Sequence, residues 1–85
     1  MTEAEIRKNI LEALAKVVPE LEEQTLKSDK PVRDQLDMDS MDALNFMIGL
    51  HQTFEIEIPE SAYAKLMTID DCVRYVATAA ANKGA

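Results

Sequence analysis

Three runs of this chain repeat apolar residues at the spacing of a helix. Ile6, Ile10, Leu14 and Val17 form the first, Ala43, Phe46, Met47, Leu50 and Phe54 the second, and Ile69, Cys72, Val73, Val76 and Ala80 the third. Each run has one apolar face, and no such face is stable in water unless another covers it. The simplest solution is an all-α domain in which the three faces meet. Only Glu55-Ile56-Glu57-Ile58 alternates like a strand, and four residues without a second strand make no sheet, so this segment reads as an extended linker. With 85 residues, the chain has material for one domain and one modest core, residues 1–85 being a single unit.

Local signals bound the helices. Thr2 with Glu5 three residues later forms a capping box, so the first helix is expected over about 3–18, stopped by Pro19. Asp39, followed by Asp42, caps a second helix expected over about 40–54. Pro59 suits the start of a short third helix, about 60–66. Thr68 and Asp71 cap a fourth, about 69–80, after which the tail of residues 82–85 is expected to fray. Between Pro19 and Asp39 no period persists. Leu21, Leu26, Val32 and Leu36 are scattered among charges, which suggests a long ordered crossover, with room for a turn of helix near residues 22–26.

Nine basic residues against sixteen acidic ones give a formal net charge of -7, which repels phosphate backbones and argues against nucleic acid as a partner. No apolar run approaches the roughly 18 residues of a membrane span, and the first residues lack the basic and apolar regions of a signal peptide. A cytoplasmic monomer is expected. The chain has one cysteine and one histidine, so neither an internal disulfide nor a zinc ligand set is available. Asp37, Asp39 and Asp42 do not make a calcium loop, because the sixth position from Asp37 is Asp42 and the twelfth is Ile48. No metal site is expected. His51 has no catalytic partner at any defensible spacing, and Cys72 falls in the apolar stripe of the last helix as a packing residue.

The second helix carries more apolar surface than packing on one side requires. Met41, Leu44 and Ile48 extend its apolar arc to about 220°, against the 100° or so that such packing needs. Either the crossover covers this second stripe or partner proteins dock on it. Ser40 stands at the start of the same helix, its hydroxyl close to unpaired backbone N–H groups and to the positive end of the helix dipole, where an anion such as a phosphodiester is well accommodated.

The run Leu36-Asp37-Met38-Asp39-Ser40-Met41-Asp42, the amphipathic helix ending at Phe54, the segment Glu57-Ile58-Pro59-Glu60 and the Thr68-Ile69-Asp70-Asp71 helix start together resemble the acyl carrier proteins. The resemblance spans nearly the whole chain. It implies a four-helix bundle with three longer helices, a short third helix and a long loop between the first and second. Ser40 would carry a covalent phosphopantetheine arm derived from coenzyme A by a phosphopantetheinyl transferase, with Asp39 as the family's aspartate before the serine. Acyl groups would travel as thioesters on the arm, and the protein itself would catalyse nothing. The implied partners are an acyl- or aminoacyl-loading ligase or transferase and enzymes of the ketosynthase or acyltransferase type, docking at Met41, Asp42, Leu44 and Ile48.

Two departures leave that reading intact: Asp37 stands where the family commonly has glycine, and Met41 where it has leucine. A third bears on the partners. Positions that are usually glutamate in fatty-acid-synthesis carriers are Asn45, His51, Gln52 and Thr53 here, and the third helix has Ser61, Ala62 and Ala64 after Glu60. This suggests a specialised fatty-acid, polyketide or modified-acyl pathway. Tyr63, where the family often has a small residue, would narrow the interior if it points inward. Two alternatives remain open: an aminoacyl carrier loaded by an adenylating ligase, and a helical interaction module that is never modified.

Overall fold

A computed structural model describes residues 2–83. Its order is α1 (Glu3–Val17), α2 (Val32–Leu36), α3 (Ser40–Phe54), α4 (Glu60–Tyr63) and α5 (Ile69–Lys83), with no strand among the described residues. The class is all-α. Three helices of fifteen residues each supply the frame, and α1 packs against both α3 and α5.

The caps form as the sequence suggests. Thr2 Oγ1 accepts from the Glu5 amide at 3.2 Å while the Glu5 carboxylate accepts from the Thr2 amide at 3.2 Å. These bonds, the backbone one foremost, hold the Glu5 carboxyl below its usual value. At the other end Val18 leaves helical geometry (φ -123°, ψ 84°), as a residue before proline tends to, while its amide still reaches the Leu14 carbonyl at 2.9 Å. Thr68 Oγ1 accepts from the Asp71 amide at 2.9 Å and starts α5.

Ile10, Leu14, Leu50 and Cys72 are wholly shielded from solvent, and Ile6, Phe46, Met47, Phe54, Ile69, Val73 and Val76 complete the packing between α1, α3 and α5. Among the described residues no polar or charged side chain is buried, so apolar packing holds the fold together. Gly49 lies at the closest approach of α3 to α1, where a Cβ would stand 3.8 Å from that of Ala13. Desolvation, reinforced by the charge of Asp71, pushes the Cys72 thiol up to about 12.

Several boundaries differ from expectation. The 19–39 crossover contains a fifth helix, α2, too short to show a period of its own and anchored by tertiary contacts. Val32 is buried beneath it, and Gln35 acts as a clasp: its Oε1 accepts from the Lys27 amide at 2.7 Å, and its Nε2 donates to the carbonyls of Lys27 at 2.8 Å and Lys30 at 3.0 Å. The crossover is also stitched to the segment before α5, through Val32 N–H to Met67 O at 2.8 Å and Asp70 N–H to Ser28 O at 3.0 Å. Residues 22–26 form a turn with two i to i+3 bonds and no helix. The third of the expected helices stops at Tyr63, three residues early, and continues as a tight turn through Lys65 N–H to Ala62 O and Leu66 N–H to Tyr63 O. The last helix runs on through its alanine-rich end to Lys83, which removes residues 82 and 83 from the expected fraying tail; Gly84 and Ala85 lie outside the described residues.

Candidate functional site

The site is built around the start of α3. Asp39 is extended (φ -89°, ψ -177°), and its Oδ1 accepts from the Asp42 amide at 2.8 Å, while Asp42 Oδ2 accepts from the Asp39 amide at 3.4 Å. This reciprocal capping box fixes the first turn and commits both carboxylates to backbone donors. Ser40, the first helical residue, is exposed, and its hydroxyl has no hydrogen-bond partner among the described residues. The helix dipole adds a positive field at this point.

Asp37, the residue that ends α2, has φ 53° and ψ 44° in the left-handed region. Glycine reaches this region without a Cβ penalty, and aspartate is among the few other residues that tolerate it. The turn therefore survives the departure at this position and brings Met38 inward, where it is buried, and Ser40 outward.

Three of the expected docking residues form a patch open to solvent. Met41 is 62% exposed, Leu44 38% and Ile48 42%. The crossover does not cover this stripe, so the first of the two readings that periodicity left open does not hold. Asp42 is half-buried and occupied in the cap. Met67, in the turn before α5, is a further exposed apolar residue, at 53%, that sequence patterning missed. Asn45, Gln52 and Thr53 are exposed and uncharged, so α3 presents a nearly neutral outer face. His51 is exposed too, and its Nδ1 lies 2.5 Å from the Ile56 carbonyl. That oxygen can only accept, so Nδ1 carries the proton, and the bond ties the end of α3 to the linker.

From Ser40 an open groove of about 740 Å³ runs between α2, α3 and α4. Its floor includes Met38, Phe46, Met47 and Leu66, while Arg33 and Glu60 stand along it. Tyr63 lines the same groove and is half-buried, so its ring takes up part of this space without entering the centre of the core. Among the described residues no group of three or more potential metal ligands comes together, and no helix is long and apolar enough to cross a membrane.

A small helical frame that leaves one exposed serine at a helix start, one apolar patch and one groove open to solvent has the layout of a carrier domain, which presents a tethered group and does no chemistry itself. The family described as "Phosphopantetheine attachment site" matches residues 8–76. Curated relatives named "Acyl carrier protein" include one from Campylobacter hominis, 34% identical over 79 residues and covering 93% of this chain and 94% of the relative. One from Renibacterium salmoninarum is 33% identical over 75 residues, covering 85% and 93%, and one from Campylobacter lari is 29% identical over 72 residues, covering 85% and 87%. The chain belongs to the acyl carrier protein family. Its prosthetic group is phosphopantetheine, and its role is to carry, not to catalyse. The residues around the start of α3 fit that group: a free hydroxyl, a positive helix end and open space beside it.

Proposed function

We propose that this protein carries acyl groups as thioesters on a phosphopantetheine arm joined to Ser40, and delivers them in a specialised fatty-acid, polyketide or modified-acyl pathway of the cytoplasm. The observation that carries the reading is Ser40 itself: exposed, unpaired, held in the first turn by the Asp39–Asp42 box and bordered by the Met41, Leu44 and Ile48 patch. In loading, the Ser40 oxygen attacks the phosphorus of coenzyme A nearest the pantetheine. An O–P bond forms at Ser40, the pyrophosphate bond breaks, adenosine 3′,5′-bisphosphate leaves, and the hydroxyl proton passes to a base of the transferase. The arm then supplies a terminal thiol for acyl exchange. Tethering keeps the cargo at high effective concentration near whichever enzyme has docked.

The specialised pathway rests on charge. Asn45, Gln52 and Thr53 give a basic partner surface little to attract it, so recognition falls on the apolar patch. Affinity for a ketosynthase encoded beside this chain is expected to exceed that for a housekeeping ketosynthase at least tenfold, and equal affinities would remove the argument.

Thiol titration tests the attachment. Cys72 is wholly buried and its thiol is pushed up to about 12, so near pH 8 the native apo protein should show no fast-reacting thiol. Treatment with a promiscuous transferase and coenzyme A, followed by removal of the free coenzyme, itself a thiol, should leave one on the protein, absent from Ser40→Ala. A fast thiol in the treated alanine variant, or none in the treated native protein, would rule the proposal out.

A further inference from the structure

Arg33 is the one cation among the described residues that line the groove running from Ser40. It projects from α2, is exposed, and forms no hydrogen bond or ion pair with any described residue. The acids nearby leave a mismatch that only loading exposes. Asp34 and Glu60 line the groove, and Asp37, Asp39 and Asp42 flank Ser40 in sequence, so a phosphodiester added to Ser40 enters a region that is already negative. The carboxylates of Asp39 and Asp42 satisfy the Asp42 and Asp39 amides, and the Ala43 amide bonds the Asp39 carbonyl at 3.0 Å. The amides of Ser40 and Met41 keep no acceptor among the described residues, as expected for the first turn of a helix.

We propose that Arg33 binds the phosphodiester of the arm on Ser40, together with the Ser40 and Met41 amides, and so lays the first segment of the arm along the groove. This rests on the reading of Ser40 as the attachment point. A guanidinium suits the task because it offers two parallel donors to the two non-bridging oxygens of a phosphodiester, whereas lysine offers a single point charge. The apo protein gains nothing from the residue, since Arg33 has no partner there. The effect belongs to the loaded form alone, which separates it from a structural role.

The test compares native protein, Arg33→Gln and Arg33→Lys, each in apo and fully loaded form as verified by intact mass. The phosphorus-31 resonance of the loaded protein should move between native and Arg33→Gln, with Arg33→Lys in between. The three apo proteins should melt together. The rise in melting temperature on loading should be larger in the native protein than in Arg33→Gln by roughly 2–4 °C at low salt, and this excess should shrink in about 0.5 M salt. Superimposable phosphorus resonances in native and Arg33→Gln proteins would overturn the proposal, as would equal thermal gains at low salt. Failure of the native protein to load sinks the Ser40 reading and this one with it, whereas full loading with unmoved resonances sinks this one alone.

Discussion

Replacing Asp39 separates its two duties, capping α3 and presenting a negative charge beside Ser40. In Asp39→Ala the Asp42 amide loses its acceptor at 2.8 Å, and the longer return bond at 3.4 Å has too little strength to hold the turn alone. Loss of an N-cap side chain costs about 1 kcal/mol, and loss of a carboxylate at a helix N-terminus adds about 0.3–0.5 kcal/mol at an exposed position. In a domain of this size 1 kcal/mol moves the melting temperature by about 4–8 °C, so Asp39→Ala should melt roughly 5–12 °C lower. Asp39→Asn keeps the acceptor and loses only the charge, for a drop of about 1–4 °C that fades with added salt. The assay is thermal unfolding by far-ultraviolet circular dichroism, paired with the rate of phosphopantetheine loading on each variant below its transition. If the turn matters for presenting Ser40, loading slows in the alanine variant and recovers in Asp39→Ser, another strong cap. If the charge matters to the transferase, Asp39→Asn and Asp39→Ser load slowly although both are folded. A drop in Asp39→Asn as large as in Asp39→Ala would refute the assignment of stability to the capping bond.

Gly49→Ala should raise stability by about 0.5–1 kcal/mol, because alanine is the better helix former and its Cβ would meet that of Ala13 at an ordinary 3.8 Å; denaturant unfolding would read this as a higher midpoint. Cys72 sets an alkaline limit: burial pushes its thiol from the ordinary value of 9.0 up to about 12, so the stability it confers is whole below about 9 and is lost as pH climbs toward 12. The expected slope is about 1.4 kcal/mol per pH unit within that window, present in the native protein and missing from Cys72→Ala when the two are unfolded in parallel. Met41→Glu and Leu44→Lys, both at exposed positions, should shift stability by about 0.5 kcal/mol or less while weakening capture by a partner enzyme at least tenfold. Tight binding by both would remove the patch as a docking surface.

What could be read from the sequence was local. Thr2 with Glu5, Asp39 with Asp42 and Thr68 before Asp71 each solve a helix start within three residues, and the three long helices follow from their periods. The apolar stripe of Met41, Leu44 and Ile48 was visible too, but not its exposure, since a period says which residues share a face and nothing about what covers that face. The crossover was opaque for the same reason. Val32–Leu36 becomes a helix because Gln35 clasps the backbone at Lys27 and Lys30 and Val32 is sunk into the core, contacts that no window of neighbouring residues contains. Arg33 and Met67 carry no signal of their own in the sequence, because their placement depends on where α2 and the turn before α5 settle beside α3. Asp37 is an intermediate case: the sequence showed it standing where the family commonly has glycine, but its left-handed φ of 53°, the physical reason glycine suits that position, is seen only in the fold.

The most direct measurement is the intact mass of the native protein and of Ser40→Ala after incubation with a promiscuous phosphopantetheinyl transferase and coenzyme A. The native protein should gain the mass of one phosphopantetheine and the alanine variant none; an unmodified native protein, or an equal gain in the variant, would contradict the placing of the arm on Ser40.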